Sequence, residues 1–366
     1  MTSRKVLILA IVALAVLGLA LVLAHRDTAS QTNEATALYP DLKKELNQIT
    51  AVRIFKSGDT QAVEIARKDN QWVVSERAGF PANSSKVNKL LIALADAKAV
   101  EEKTSNPASY AALGVEDVKS ASATGTRVEV QGSKTPIALI VGKSASAHGS
   151  YVRRAGEPAS WLIDQPLDVS TAPGEWLRNT IIDVSADRVQ SVTVTTDSAK
   201  PYTVEKTARA DADFKTTAIP KGKEADTFAV NGFASALSSL NLSDVRAAKE
   251  FEAEKPAAHA SLKTFDGLVA DLEGWNKDGK HFIAVKTAYD DQLAKRFHVE
   301  TKQPDKGADA KATEPTPAPP APKPAATDNV AETAKSMNAQ LQGWVFEIPD
   351  YKYEAIFKPS TALVKK

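Results

Sequence analysis

The chain contains no cysteine. That absence excludes disulfides, thiolate metal sites, a cysteine nucleophile and a lipid-modified N-terminal cysteine. A charge excess is missing as well, because 46 Lys and Arg stand against 45 Asp and Glu. No bulk positive field exists to collect a phosphate backbone, so no nucleic-acid partner is expected. Histidine is sparse: His25, His148, His259, His281 and His298 are scattered, and no pair has the i, i+4 spacing of a helical metal site. His148, beside Gly149 in a turn, reads as an exposed turn residue. Also missing are a G-x-S-x-G nucleophile elbow and the Ser-x-x-Lys signature of penicillin-binding enzymes.

What is present is a 366-residue chain, 43% apolar, long enough for two packed domains. Val6 to Ala24 carries no charge. At about 1.5 Å per residue, a helix of that length spans roughly 29 Å, close to a bilayer core of about 30 Å. Arg4 and Lys5 precede it, and the positive-inside rule then places the N-terminus in the cytoplasm. Residues 1–26 are therefore expected to be a cytoplasmic tip and single-pass inner-membrane anchor, with the bulk of the chain periplasmic. Val22-Leu23-Ala24 offers a cleavage site, and cleavage stands as the alternative.

A polar spacer and short helix follow over 27–48, with Leu38, Leu42, Leu46 and Ile49 at helical spacing. AVRIFKS, QAVEIARK and QWVVSER then alternate apolar and polar residues, the pattern of a three-stranded meander with Trp72 in the core. Ser84 to Ala99 carries the apolar stripe Val87, Leu90, Leu91, Leu94 and Ala95 behind a capping Asn83 or Ser84. TRVEVQG, IALIV, SYVRR and SWLID read as four more strands. The same order recurs downstream, with a helix expected over Phe228 to Leu240. Val52 and Ile54 match Val192 and Val194, Pro81 matches Pro220, Gly142 matches Gly274, and Trp161 to Pro166 matches Trp344 to Pro349.

The expected fold class is α+β: an N-terminal transmembrane helix, then two tandem repeats, each of antiparallel strands plus one main helix. The first repeat spans 49–186 and the second 187–366. The second carries a Pro/Ala-rich insertion at about 303–329, expected to be a solvated, polyproline-like loop, with a partner-docking site at Pro317-Ala-Pro-Pro320 as the alternative.

Gly142-Lys143-Ser144 sits directly behind the apolar strand LIV, where a nucleotide-binding loop would carry it. Such a loop needs a glycine five positions earlier and a helix after it. Position 137 is Ile, and Ser144 to Gly149 leads into another strand. No nucleotide is therefore expected. Asp290-Asp291 and Asp211 with Asp213 are carboxylate pairs in polar, solvated stretches. Arg153-Arg154 and Arg178 read as a solvated strand face, with a small basic patch near the end of the first repeat as the alternative. No catalytic, cofactor-binding or metal-binding residue is assigned, and no cofactor is implied.

The order of YPDLKKELNQITAVRI, a Trp-Val-Val strand, a Leu-rich helix, ALGVED, LIVGKS, GSYVRR and WLID resembles the bacterial family called domain of unknown function 4340. These motifs are structural landmarks, and the family supplies no active site to transfer. The resemblance implies a genomic context beside components of an ABC-type export system. The resulting expectation is a membrane-anchored binding or scaffolding protein whose partners are the membrane, through its helix, and ABC-type transporter subunits. Alternatives are an envelope-acting enzyme and a small-ligand or lipid binder, either using a cleft between the repeats.

Overall fold

A computed structural model describes residues 35–145, 149–197, 199–297 and 328–365. The anchor expected over 6–24 lies outside these residues, as do His25, His148, His298 and most of the 303–329 insertion. Among the described residues no helix is long and apolar enough to cross a membrane. The single-pass inner-membrane placement thus finds no support and is withdrawn.

The α+β class with one main helix per repeat is also corrected. The architecture is mostly sheet: three antiparallel sheets with few, short helices. The chain divides into two compact units, Met1–Glu76 with Ala82–Trp176, and Arg77–Pro81 with Leu177–Lys366.

In the first unit the hydrogen-bonded strand order is Thr36–Ala37, Lys98–Thr104, Ser160–Ile163, Gly149–Arg154, Ile137–Ala145, Thr126–Gln131, Ala51–Lys56, Thr60–Lys68 and Gln71–Val74. In the second it is Asp244–Ala247, Trp344–Ile348, Lys280–Tyr289, Leu268–Lys277, Ala258–Thr264, Val189–Thr196, Ala199–Glu205 and Lys215–Thr216. From Lys98–Thr104 and Asp244–Ala247 onward the two sheets run through their strands in one common order. A separate pair, Thr180–Ile182 with Leu240–Asn241, belongs to the second unit.

Alternation explains the strands. Leu268, Ala270 and Leu272 are buried, whereas Asp271 between them is exposed, so one face packs and the other meets solvent. Asp278-Gly279 joins two of these strands with both residues at positive φ (53° and 71°), the geometry a two-residue hairpin turn needs.

Helix Ser84–Asp96 buries the expected stripe, and the Asn83 side chain accepts a 3.1 Å hydrogen bond from the Lys86 amide as its cap. It stops short of Ala99 because Lys98 already pairs with Ala37 in the sheet. Its counterpart is not the helix expected over Phe228 to Leu240. Helix Thr227–Asn231 has five residues, capped by Asp226, and gives way to a 3-10 turn at Gly232–Ser235. Gly232 and the serine-rich stretch behind it favour helix poorly, and Leu240 is drawn into a strand.

Helix Asp328–Leu341 was not anticipated. It packs on the inner face of Lys280–Tyr289, where the Thr287 hydroxyl donates to the Ala334 carbonyl at 2.7 Å.

Two of the residue matches shift when counted across the ladders. Val52 pairs with Val130 and Val192 with Leu262. Continuing strand by strand, Gly274 falls opposite the position of Val141, not Gly142. A one-residue offset changes the face. Gly142 lies on the outer face, whereas Gly274 lies on the inner one, where a Cβ would come 2.7 Å from the Phe357 ring. Likewise Trp161 pairs with Val152 in the place where Phe346 pairs with Ile283, two residues beyond Trp344. Both Trp161 and Trp344 are half-buried, while Phe346 is fully buried.

Candidate functional site on the outer face of the second sheet

In the first unit the outer sheet face is closed by its own chain. Residues 105–125, between strands Lys98–Thr104 and Thr126–Gln131, lay Tyr110, Leu113 and Val115 against Ile140, Tyr151 and Ala155. The sheet holds this cover with donors. Buried Arg153 donates from Nε to the Val115 carbonyl (2.7 Å) and from a terminal nitrogen to the Glu157 carbonyl (3.0 Å), with Tyr110 stacked 4.6 Å away. Lys143 Nζ donates to the Ala112 carbonyl at 2.9 Å. Gly142 lets the cover approach, since a Cβ there would lie 2.3 Å from the Leu113 carbonyl oxygen. The motifs ALGVED, LIVGKS and GSYVRR are therefore the parts of one packing contact, and the nucleotide-like Gly-Lys-Ser is a strand. Further along the same face Arg53 pairs with Glu64 (2.7 Å), and Arg127 pairs with both Asp59 (2.7 Å) and Glu129 (2.9 Å).

The second unit differs at the same place. Between strands Asp244–Ala247 and Ala258–Thr264 the chain has only residues 248–257, less than half the length of the first cover. That short segment reaches one end of the face, where Phe251 packs with Trp275, Phe282 and Val345. Beyond it the sheet stays open as a groove of about 330 Å³.

Strand alternation builds its floor in two rows. Thr193, Ser261, Asp271 and Lys286 stand in register across four strands, and Thr195, His259, Glu273 and Ala284 stand in register beside them. Counted across the ladders, Glu273 takes the place of Ile140, Ala284 that of Arg153, and His259 that of Arg127. Ser261 donates to Asp271 Oδ1 at 2.6 Å, and Thr193 bonds Thr203 at 2.8 Å. Among the described residues the side chains of His259, Glu273 and Lys286 make no hydrogen bond or ion pair, although Asp271 and Lys286 are direct cross-strand neighbours.

The residues singled out from sequence lie elsewhere and are engaged. Arg154 donates to the Leu38 carbonyl (2.6 Å) and stacks on Tyr39, whose hydroxyl burial pushes up to about 12. Arg178, counted with the second unit, donates to Gln340 (2.8 Å), and burial lowers its pKa. Asp211 accepts from the Ala208 and Thr207 amides (each 2.9 Å), which hold it below the usual carboxylate range, and Asp213 accepts from Asn231 (2.6 Å). Asp290 caps Leu293, and Asp291 pairs with Lys295 at 2.6 Å. His281 stacks on Tyr353 with centroids 4.2 Å apart. His259 alone of the candidates lines the groove.

Elsewhere, burial raises Tyr202 and Tyr353 and lowers Lys352 and Lys358, the two lysines donating to backbone carbonyls. Among the described residues no cluster of three or more His, Asp or Glu is placed to hold a metal.

Sequence reasoning missed Thr193, Thr195, Ser261, Asp271, Glu273 and Lys286. The available signal was the shortening of one connection between matched strands, from 105–125 to 248–257.

The fold and the groove define a class of protein: paired β-sheet units of one strand order, one of which presents an open polar face. Its family follows from comparison. The chain belongs to the domain of unknown function family DUF4340, whose sequence model matches residues 72–263, more than half of the chain. No curated protein and no solved structure matched. Nothing found supports the expected association with a membrane or an ABC-type exporter, and both are set aside.

Proposed function

We propose that the chain is a binding protein whose recognition surface is the open outer face of the second sheet. The observation that supports this reading most directly is the contrast in charge pairing. On the first sheet Arg53 pairs with Glu64, and Arg127 with Asp59 and Glu129, whereas Glu273 and Lys286 line a groove without a partner among the described residues. Charged side chains left in register but unpaired keep their capacity for a ligand. The floor is a flat array of short hydroxyls and charges.

Affinity purification of the full chain, read by quantitative mass spectrometry, tests the reading. A partner recovered with the parent and with the first-sheet control Glu101→Lys/Glu102→Lys, but lost with Asp271→Lys/Glu273→Lys, is the expected result. Partners retained equally by the groove variant would overturn it.

A further inference from the structure

We infer that the groove takes a basic, donor-rich peptide segment of a partner chain, laid across the sheet where residues 105–125 lie in the first unit. This inference rests on the binding reading above and adds the chemistry of the occupant. The first unit supplies the precedent: an equivalent outer face is filled by a peptide segment, held through its backbone carbonyls by Lys143 and Arg153. In that pairing the sheet donates and the cover accepts.

In the second unit the polarity is reversed. The apolar Ile140 position holds Glu273, the Ala138 position holds Asp271, and the Arg153 position holds Ala284. The donor that gripped the cover is gone, and two carboxylates replace apolar floor. Ser261 occupies Asp271 Oδ1 from one side, which fixes that carboxylate and leaves its other oxygen for a ligand. The floor sets two carboxylates, Asp271 and Glu273, against the single ammonium of Lys286. An occupant that satisfies this floor must bring N–H donors and positive charge, which an arginine-bearing segment does in bidentate fashion on a carboxylate. The hydroxyls of Thr193 and Thr195 then serve its backbone.

The test uses the full chain and three short capped peptides alternating glycine with arginine, citrulline or glutamate, titrated by calorimetry at low and physiological salt. The arginine peptide is expected to bind saturably and more weakly as salt rises. It should lose about tenfold in affinity with Asp271→Asn/Glu273→Gln, and it should be unaffected by Glu101→Gln/Glu102→Gln on the first sheet. Unchanged melting temperatures confirm that these exposed substitutions leave the fold intact. Equal loss with the control pair, tighter binding of the citrulline or glutamate peptide, or no binding at all would each overturn the inference. If the peptide arm fails while a partner is still lost from Asp271→Lys/Glu273→Lys in the purification, the binding reading survives and only the charge class falls. If both fail, both are wrong.

Discussion

Phe80 offers the sharpest test of how the second unit is built. It sits on a five-residue segment, Arg77–Pro81, that is remote in sequence from the rest of that unit. Its ring is 1% exposed and meets Trp344 edge-on at 5.1 Å and Phe346 at 6.0 Å. Arg77 grips Asp244 through two hydrogen bonds of 2.5 and 2.8 Å, and the Pro81 carbonyl accepts from the Arg178 amide at 2.9 Å. Truncating a buried phenylalanine costs about 3 to 5 kcal/mol, through lost transfer energy and the cavity left behind. A domain of this size is stable by only about 5 to 15 kcal/mol. Phe80→Ala should therefore remove about a fifth or more of the second unit's stability and lower its melting temperature by about 10 °C. Urea unfolding followed by tryptophan fluorescence reads the effect, because Trp344 loses its neighbour. The fragment 177–366, which lacks the whole segment, should be weaker still. A loss below about 1 kcal/mol for Phe80→Ala, or a fragment as stable as the same unit in the full chain, would refute the assignment of Arg77–Pro81 to this core.

Two further perturbations address other parts of the molecule. Gly142→Ala would press a methyl group against the Leu113 carbonyl oxygen, 2.3 Å from where its Cβ must lie. It should cost about 3 kcal/mol as an overpacking defect and speed hydrogen exchange at Val115, and normal exchange there would show that the cover does not bear on Gly142. Asp266 accepts from Arg188 at 2.8 and 3.2 Å and from Thr264 at 2.5 Å. Burial opposes its charge, yet these bonds hold its pKa below the ordinary 3.8. Because the folded value is depressed, its stabilisation is fully present above about 3.8 and is lost as pH falls through the lower folded value. Asp266→Asn should thus cost about 2 kcal/mol at pH 7 and progressively less in acid, measured by denaturation across pH. A penalty independent of pH would mean that the charge contributes nothing.

The strands were legible because burial on one face imposes a period of two on the sequence. Helix Ser84–Asp96 was legible because five buried residues and an asparagine cap agree. The downstream helix was misread because Val230, Phe233, Leu237 and Leu240 recur at helical spacing behind the expected start at Phe228, although Gly232 breaks the helix. Phe228 in fact stands 90% exposed. Helix Asp328–Leu341 was hidden by its polar composition: among its described side chains only Val330, Ala334 and Leu341 are buried, too sparse a stripe to stand out beside a proline-rich stretch.

The groove was illegible for a different reason, one that follows from how the repeat was recognised. Val52 and Val192, or Ile54 and Val194, match because both pairs must be buried. Matching letters therefore report inner faces. Gly142 and Gly274 also share a letter, yet they lie on opposite faces and serve different contacts, so the shared letter misled. The outer faces carry Ile140 against Glu273 and Arg153 against Ala284, pairs that no letter comparison would join. They become comparable only once the ladders fix the register. A sheet sealed by its own connection can keep an apolar and cationic outer face. A sheet whose connection is less than half as long must solvate that face or lend it to another chain. Solvation alone explains hydroxyls and one sign of charge as readily as two. Asp271 and Lys286 stand directly opposite one another without pairing, since an exposed ion pair gains little in water, and a partner segment that excluded water there would make that unused charge count toward binding.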